Sequence, residues 1–332
     1  MPSLRRALII GLTVTLAAML APAGAAAAEP PAWAPVEEAT IHPGSQTVSP
    51  SGQCTSNFIF YDRLGGVYVG QAAHCTGTGG ATDINGCNSG SLPLGTEVAV
   101  GGASQPGTLV YNSWLTMQAA GETDPLTCLF NDFALVQLHP DDVAKVNPSL
   151  PNWGGPVALG TTTTTLEQVY SYGNSGLRQG LTLLSPKTGV SLGQTDGGWT
   201  HPVYTVTPGI PGDSGSGFLN SRGEAVGVLS TVQLLPLVLS NGVSDLHLAM
   251  QYMQNNSGFD DVELAAGTEP FDGSPVNLLP SDLDDSAGPG DPSPAPPSEP
   301  VADDAGPDDP GAERAEDSGI TVSVAGITVH IG

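Results

Sequence analysis

The sequence has few charged side chains, and very few of these are basic. Only 12% of the 332 residues are Asp, Glu, Lys or Arg, and 33 acids stand against 8 bases, for a formal net charge of −25. A protein that neutralises nucleic-acid phosphates needs a basic face, so this class of function is excluded. The 44 glycines and 30 prolines also argue against a coiled coil or helical bundle, in which Ala, Glu, Lys and Leu predominate.

Long apolar runs are equally scarce, and the longest lies at the N-terminus. Arg5 and Arg6 precede an apolar stretch over residues 8–20, and small residues follow it as far as Ala28. This arrangement predicts a cleaved export signal over residues 1–28, and hence a secreted, extracellular protein. A membrane anchor is the alternative, but the run is shorter than the ~20 residues that span a bilayer. We therefore expect no membrane-spanning segment. The arginine pair indicates a twin-arginine route only weakly.

The cysteines are few but even in number. They are Cys54, Cys75, Cys87 and Cys128. In an exported protein they predict two disulfides, for which four cysteines allow three pairings. A zinc site is the alternative. No C-x-x-C pair occurs and the only tight cluster is His74-Cys75, so we expect no metal.

Turn residues divide the chain into regions. Residues 29–50 are rich in proline and predict an extended leader, whereas residues 51–259 alternate short apolar runs with turns, which is typical of strands. The predicted strands are Asn57–Tyr61, Gly66–Val69, Thr96–Val100, Phe133–Leu138, Gln168–Tyr172, Val203–Val206, Gly217–Leu219 and Ala225–Leu229. Only Ser244–Gln254 has a helical period, with Ser244 as N-cap. The pattern indicates an all-β barrel or sandwich, single or doubled.

The C-terminal part of the chain has a different composition. Residues 260–332 carry 17 acids and one base, and residues 260–318 are dominated by Pro, Asp, Gly, Ser and Ala. Such a segment buries too little apolar surface to fold, so we predict a disordered acidic linker. Calcium binding by three of its acids (Asp282, Asp284, Asp285) is an alternative. No EF-hand spacing is present, however, so a solvated linker is favoured.

The final residues, 319–332, repeat the motif Gly-Ile-Thr-Val. This β-prone repeat predicts either a small hairpin or an edge strand that adds to a partner, for example at the cell envelope. A functionless end is the alternative, because a lone hairpin is marginal in water.

Three motifs carry the chemistry. Pro211-Gly212-Asp213-Ser214-Gly215-Ser216-Gly217 places a serine among glycines, which permit a tight turn and converging main-chain N–H groups. His74 lies in Ala72-Ala73-His74-Cys75, and Asp132 precedes the apolar run 133–136. A serine hydroxyl needs an imidazole base, and that imidazole needs an acid to orient it. Asp124 is a nearby rival for Asp132, which could also be a plain strand cap.

These motifs resemble those of the trypsin/chymotrypsin-like serine proteases, in their secreted bacterial branch. The matching segments are A-A-H-C at 72–75, D-F-A-L-V at 132–136 and G-D-S-G-S-G at 212–217, within a region of about 51–255. The resemblance implies two antiparallel six-stranded β-barrels, a cleft between them and a C-terminal helix, followed here by the disordered acidic tail. It also implies a peptide or protein substrate and no cofactor.

The resemblance assigns a role to each matching residue. His74 is the general base, Asp132 its orienter and Ser214 the nucleophile, and the N–H groups of Gly212 and Ser214 form the oxyanion hole. The remaining five histidines are surface or structural residues. They are His42, His139, His201, His247 and His330.

The resemblance further implies disulfides between Cys54 and Cys75 and between Cys87 and Cys128. The family's usual activation sequence, a basic residue before Ile-Val-Gly-Gly, is missing. In the animal enzymes of the family, the amine freed at this sequence pairs with the aspartate that precedes the nucleophile. Asp213 therefore needs either a different N-terminus or an internal cation. Arg178 is the candidate cation, and Lys187 is its rival.

The same comparison places the specificity pocket. Its floor falls at Pro208, and the strand beside it contains Ser230, Thr231 and Val232. A trypsin-type pocket would need Asp at the floor, and Val232 stands where a glycine usually leaves the pocket open. We therefore expect a small or medium apolar P1 residue.

Two other classes of function are open at this point. One is a catalytically silent protease-fold protein that binds a partner or acts at the cell surface. The other is a structural, envelope-associated protein whose active part is the terminal repeat. Catalysis by the triad would require no metal.

Overall fold

The residues that the computed structural model describes are 30–80, 83–233, 240–274, 320–324 and 327–331. The predicted export signal (1–28) and most of the predicted linker lie outside the described residues. The chain divides into two compact units, Met1–Leu283 and Asp284–Gly332.

The first unit consists mainly of strands. These are β1 (Gln46–Ser49), β2 (Gly52–Thr55), β3 (Ile59–Tyr61), β4 (Val67–Gln71), β5 (Glu97–Val100), β6 (Gly107–Asn112), β7 (Ala134–Gln137), β8 (Thr165–Tyr172), β9 (Pro186–Leu192), β10 (Thr200–Thr205), β11 (Gly217–Leu219), β12 (Ala225–Gln233), β13 (Ser240–Asp245) and β14 (Glu263–Leu264). Its α-helices are α1 (Ser113–Ala120), α2 (Pro125–Phe130) and α3 (Leu246–Asn256). The predicted all-β class is confirmed.

The strands form two antiparallel sheets. One is a closed six-stranded barrel in the order β10-β13-β12-β11-β8-β9, and the other is an eight-stranded sheet in the order β14-β3-β4-β7-β6-β5-β1-β2. The expected two-barrel fold is thus confirmed in outline, but the first sheet has eight strands and is not closed. The difference arises at its edges, where β14 extends the sheet beyond β3 and the β1–β2 hairpin ends the other side.

The first sheet brings two distant segments together. β4 pairs with β7, so that Gln71 lies opposite Ala134. His74 follows β4 by three residues and Asp132 precedes β7 by two. The sheet register therefore brings the histidine and the aspartate to the same end of two neighbouring strands.

Aromatic side chains fill the main core. Phe58, Phe60 and Trp153 are almost completely buried, and Phe133 packs edge-on against Phe60 with ring centroids 5.4 Å apart. Leu246 of α3 belongs to the same cluster. Burial of one such side chain stabilises the fold by about 1.5–3 kcal/mol. The burial of Leu246 therefore attaches α3 to the sheets.

The predicted leader is packed onto the first sheet. Ile41 is fully buried, and the N–H of Ala34 donates to the carbonyl of Val146 over 2.9 Å. β1 also lies within residues 29–50 and pairs with β5. Residues 36–38 and 43–44 form turns, and the proline-rich composition carried no information about the sheet on which the segment packs.

The folded region continues past the predicted boundary at residue 259. Val262 and Ala265 are buried, and β14 pairs with β3. Phe271 packs against Tyr170 with ring centroids 5.2 Å apart. These few apolar residues hold the segment as far as residue 274, although its overall composition is that of a linker.

The helices require a second correction. α1 and α2 were not expected, and each begins at a polar N-cap: Asn112 accepts from the N–H of Trp114 over 2.8 Å, and Asp124 accepts from that of Thr127 over 2.8 Å. The predicted terminal helix is present, but its N-cap is Asp245 rather than Ser244, because the Asp245 carboxylate accepts from the N–H of Leu248.

The second unit contains an antiparallel pair of strands, β15 (Ile320–Val324) and β16 (Ile327–Ile331). Val322 lies opposite Val329. Residues 325 and 326, between the two strands, lie outside the described residues, and both predicted roles of the repeat stay predictions. Within the described residues, no helix has the length and hydropathy needed to cross a membrane.

Candidate active site

A cleft of about 920 Å³ receives residues from both sheets. Cys54 contributes from the first sheet and Leu229 from the barrel. His74, Asp132 and Ser214 all line this cleft. The three residues of the predicted triad, which are separated by up to 140 positions in sequence, therefore share one cavity.

Asp132 contacts His74 through both of its oxygens. Oδ2 lies 2.7 Å from the ring Nδ1, and Oδ1 accepts from the main-chain N–H of His74 over 2.9 Å. The first contact orients the ring, and the second places its backbone. If Nδ1 carries the proton, the opposite ring nitrogen, Nε2, is free to accept one. Asp124 lies elsewhere and caps α2, so the structure separates it from the histidine.

Ser230 completes the surroundings of Asp132. Its hydroxyl donates to Oδ2 of Asp132 over 2.5 Å. Burial raises the pKa of Asp132, but the adjacent His74 and the hydrogen bonds from His74 and Ser230 lower it by more. The carboxyl group is therefore held ionised in a position from which water is largely excluded.

The same contact that lowers the pKa of Asp132 raises the pKa of His74. Burial alone lowers the pKa of the imidazole, whereas the charge of Asp132 and its hydrogen bond raise it above the ordinary value of 6.5. A raised pKa makes the imidazole a stronger base. It also means that the ring becomes protonated at a higher pH than a free histidine does.

A short 3-10 turn, Ala73–Thr76, carries the histidine. The side-chain amide of Asn112 donates to the carbonyl of Ala73 over 3.1 Å, and Cys75 is linked to Cys54 by a disulfide. The same Asn112 is the N-cap of α1. One buried amide thus couples the histidine turn to the start of a helix.

The serine lies in a turn that two glycines make possible. Gly212 has φ +95° and Gly215 has φ +89°, in the region that other residues avoid. The N–H of Gly215 donates to the carbonyl of Leu229 over 2.7 Å, and the carbonyl of Ser214 accepts from the N–H of Thr55 over 2.8 Å. The turn is therefore held from both sheets, and the Ser214 side chain is half-buried in the cleft.

Two of the contacts that the predicted triad would make are not hydrogen bonds between described residues. In the described part of the chain, no hydrogen bond joins the Ser214 hydroxyl to His74. The N–H groups of Gly212 and Ser214 also donate no hydrogen bond to another described residue. Contacts of this kind often tighten only when substrate is bound, and N–H groups without a partner are what an oxyanion hole requires.

Two residues that sequence reasoning missed hold the turn in place. The hydroxyl of Thr55 and the side-chain amide of Gln53 donate to the carbonyl of Gly212 over 2.7 and 3.1 Å. These bonds, with the hydrogen bond from the Asp213 N–H to the carbonyl of Ile210, hold the peptide between Gly212 and Asp213. Both residues lie next to Cys54, and that proximity is the only signal of their role in the sequence.

Asp213, which precedes Ser214, is fully buried between two cations. Arg178 contacts it through both guanidinium NH₂ groups, and Nζ of Lys187 lies 3.2 Å from Oδ2. Burial raises the pKa of Asp213, but the two cations lower it by more. The sequence left Arg178 and Lys187 as rivals. The structure brings both to the carboxylate, with Arg178 making the bidentate contact.

Only some of the residues expected to form the specificity pocket line the cleft. Ser230 and Thr231 line the cleft. Pro208 is exposed, does not line the cleft, and accepts from Lys187 Nζ through its carbonyl over 3.2 Å. Gly209, which follows it, does line the cleft. Val232 lies on β12 opposite Asn241.

Both disulfides implied by the resemblance are present. Cys54 is joined to Cys75 and Cys87 to Cys128. The donor atoms of Cys54, His74 and Cys75 lie within 4.8 Å of one another. Because the two sulfurs are bonded to each other, this cluster offers no thiolate to a metal.

A second histidine–aspartate pair lies in the barrel. His201 is fully buried, with Nε2 2.8 Å from Oδ2 of Asp245 and Nδ1 2.8 Å from the hydroxyl of Thr163. Asp245 also caps α3 by accepting from the N–H of Leu248 over 2.7 Å. Both ring nitrogens are engaged, so this pair is structural.

No family model and no curated protein sequence matches the chain. Among solved structures, it is similar to Thermobifida fusca protease A (15% identity, TM-score 0.43), over 69% of this chain and 100% of that one. It is also similar to a Nocardiopsis protease (16%, TM-score 0.39, 68% and 98%) and to Cellulomonas bogoriensis chymotrypsin (15%, TM-score 0.39, 68% and 98%). The sheet topology of this chain is one closed six-stranded barrel and one eight-stranded sheet.

Proposed function

We propose that the protein is a secreted serine endopeptidase. The observation that carries the proposal is the double contact between Asp132 and His74, in the same cleft as Ser214. The two predicted disulfides, both formed, fit an oxidising compartment outside the cytoplasm. Peptides or proteins are the substrates, and the chemistry needs no cofactor.

The reaction follows from these groups. His74 Nε2 removes the proton of the Ser214 hydroxyl as its oxygen attacks the substrate carbonyl carbon. The N–H groups of Gly212 and Ser214 stabilise the resulting oxyanion. The imidazolium, stabilised by Asp132, then protonates the leaving amine, and an acyl-enzyme on Ser214 remains. Water, activated by His74, releases the acid and restores the serine.

We infer a small or medium apolar P1 residue. The described segments beside Ser214 that line the cleft, 209–211 and 229–231, contain no charged side chain. A basic P1 residue would therefore find no counter-charge there.

Digestion of a peptide library by the secreted protein tests both points. The cleaved bonds are identified by mass spectrometry, and Ser214→Ala is the control. We expect cleavage after Ala, Val or Leu, absent in the variant. Cleavage mainly after Arg or Lys would overturn the P1 preference. Absence of any cleavage would favour the alternative, a silent protease-fold protein.

A further inference from the structure

Ser175 is a buried serine that the triad mechanism does not use. It is 2% exposed and is the N-cap of a short 3-10 turn, Gly176–Arg178. Its hydroxyl accepts from the N–H of Leu177 over 3.1 Å and donates to the carbonyl of Pro211 over 2.5 Å. The second bond crosses 36 positions of sequence and reaches the residue that precedes Gly212.

The carbonyl that Ser175 binds belongs to the peptide group whose N–H is a proposed oxyanion donor. The C=O of Pro211 and the N–H of Gly212 are the two polar ends of one planar peptide group, which is trans. In a trans peptide these two ends point in opposite directions. A hydrogen bond that fixes the direction of the C=O therefore fixes the direction of the N–H as well.

The surroundings of Ser175 hold it in place beside the oxyanion turn. Its main-chain N–H donates to Oδ1 of Asp213 over 3.2 Å. A carbon added at Gly212 would lie 2.9 Å from the Ser175 Oγ, so the serine packs directly against that glycine. The N–H of the next residue, Gly176, donates to the side chain of Gln53 over 2.8 Å. These contacts fix the position from which the hydroxyl donates.

We propose that Ser175 is a positioning residue for the oxyanion hole, whose hydroxyl keeps the peptide between Pro211 and Gly212 oriented with its N–H toward the cleft. The proposal rests on the endopeptidase function and adds a residue that does not itself line the cleft. The carbonyl of Gly212 is held separately, by Thr55 and Gln53. Each of the two peptide groups that meet at Gly212 thus has its own anchor. Without the Ser175 hydroxyl, the first of them can turn its N–H away from the oxyanion.

Steady-state kinetics of Ser175→Ala test this role, with Ser191→Ala as the matched control. Ser191 is also buried, and its hydroxyl also accepts from the N–H two residues on, that of Gly193 over 3.0 Å. Its other partner is Thr163 instead of the oxyanion turn. We expect Ser175→Ala to lower kcat by roughly tenfold or more. KM should change by less than about twofold, because the oxyanion forms only after the substrate has bound. Ser191→Ala should keep the wild-type kcat.

A peptide aldehyde separates this role from a general loss of structure, because its adduct with Ser214 carries the oxyanion. Its affinity for Ser175→Ala should fall by the same factor as kcat/KM. Circular dichroism checks folding. If the Ala variant is unfolded, Ser175→Cys, which is close in size to serine and a weak donor, takes its place with the same expectations.

Three results would overturn the proposal. One is an unchanged kcat in the folded Ser175 variant, and another is an equal fall of kcat in Ser191→Ala. The third is an aldehyde affinity that stays constant while kcat falls. A wild type that cleaves no peptide would instead overturn the endopeptidase function, and with it this role for Ser175.

Discussion

Asp132 binds His74 at two points, the ring Nδ1 at 2.7 Å and the main-chain N–H at 2.9 Å. The ring and its backbone are therefore positioned by one buried carboxylate. Ser230 anchors that carboxylate in turn through a third hydrogen bond. The base of the proposed reaction thus has its orientation determined before any substrate arrives.

The first prediction concerns pH. In the wild type, activity should fall as pH decreases through the raised pKa of His74, because a protonated imidazole cannot accept the serine proton. Asp132→Asn removes the charge that raises this pKa, so the acid limb of the pH–kcat profile should move to lower pH. The maximal rate should also drop by roughly 10⁴-fold, because the tautomer is no longer fixed. An unmoved acid limb would contradict the role given to Asp132.

The second prediction concerns the oxyanion hole. At Gly212 an added side chain would have to adopt a positive φ and would meet the Gln53 amide, so Gly212→Ala should misplace the peptide. We expect kcat to fall by about 10²–10³-fold. Gly95→Ala is the matched control, because Gly95 has a similar φ of +89° with no atom within 4 Å of the added carbon. Equal losses of activity in both variants would show that backbone strain, not the oxyanion hole, is responsible.

The third prediction separates the two cations at Asp213. Arg178→Leu leaves a buried carboxylate without its bidentate partner, and we expect a loss of about 3 kcal/mol in the free energy of unfolding at pH 7. Lys187→Met should cause a smaller loss, because Lys187 makes a single contact to the Asp213 carboxylate, at 3.2 Å, and burial already lowers its pKa.

Urea unfolding as a function of pH measures these losses. The lowered pKa of Asp213 gives stability that is present above the ordinary value of 3.8 and is lost as pH falls below it. The Arg178→Leu deficit should therefore shrink as pH is lowered toward 3. A deficit that is constant with pH would mean that lost packing, rather than lost charge, is the cause.

The fourth prediction concerns the buried pair in the barrel. Asp245→Ala removes the cap of α3 and leaves His201 without its partner, so we expect a loss of about 3 kcal/mol. Asp245→Asn keeps a capping side chain and should lose about 1 kcal/mol. Thermal unfolding followed by circular dichroism compares the two. Peptidase activity of the folded Asn variant should remain, since the pair lies outside the described cleft lining.

Short motifs with a fixed chemistry were readable from the sequence, whereas the contacts that support them were not. His74, Asp132 and Ser214 each belong to a short motif, at 72–75, 132–136 and 212–217, and the neighbouring residues of each motif are part of its pattern. Thr55 and Gln53 act through hydrogen bonds to a carbonyl 157 and 159 positions away. Such contacts depend on how two sheets meet, and no local pattern records that.

The prediction of strands from the sequence was limited in the same way. Strands with apolar runs, such as β11, were located correctly, but β9 and β13 are rich in polar residues and were missed. Some of their buried polar side chains are hydrogen-bonded: the N–H of Gly209 donates to Asn241 over 2.9 Å, and the Ser191 hydroxyl lies 2.7 Å from that of Thr163. Local alternation of apolar and polar residues could not reveal strands whose buried faces are hydrogen-bonded.

Covalent labelling of Ser214 is the direct test of its proposed role as the nucleophile. The secreted protein is treated with a fluorophosphonate and its intact mass and modified peptide are measured, with folded Ser214→Ala as the control. We expect a single adduct on Ser214 in the wild type, none in the variant, and loss of peptidase activity in proportion to labelling. An unlabelled wild type, or an adduct that persists in Ser214→Ala, would contradict it.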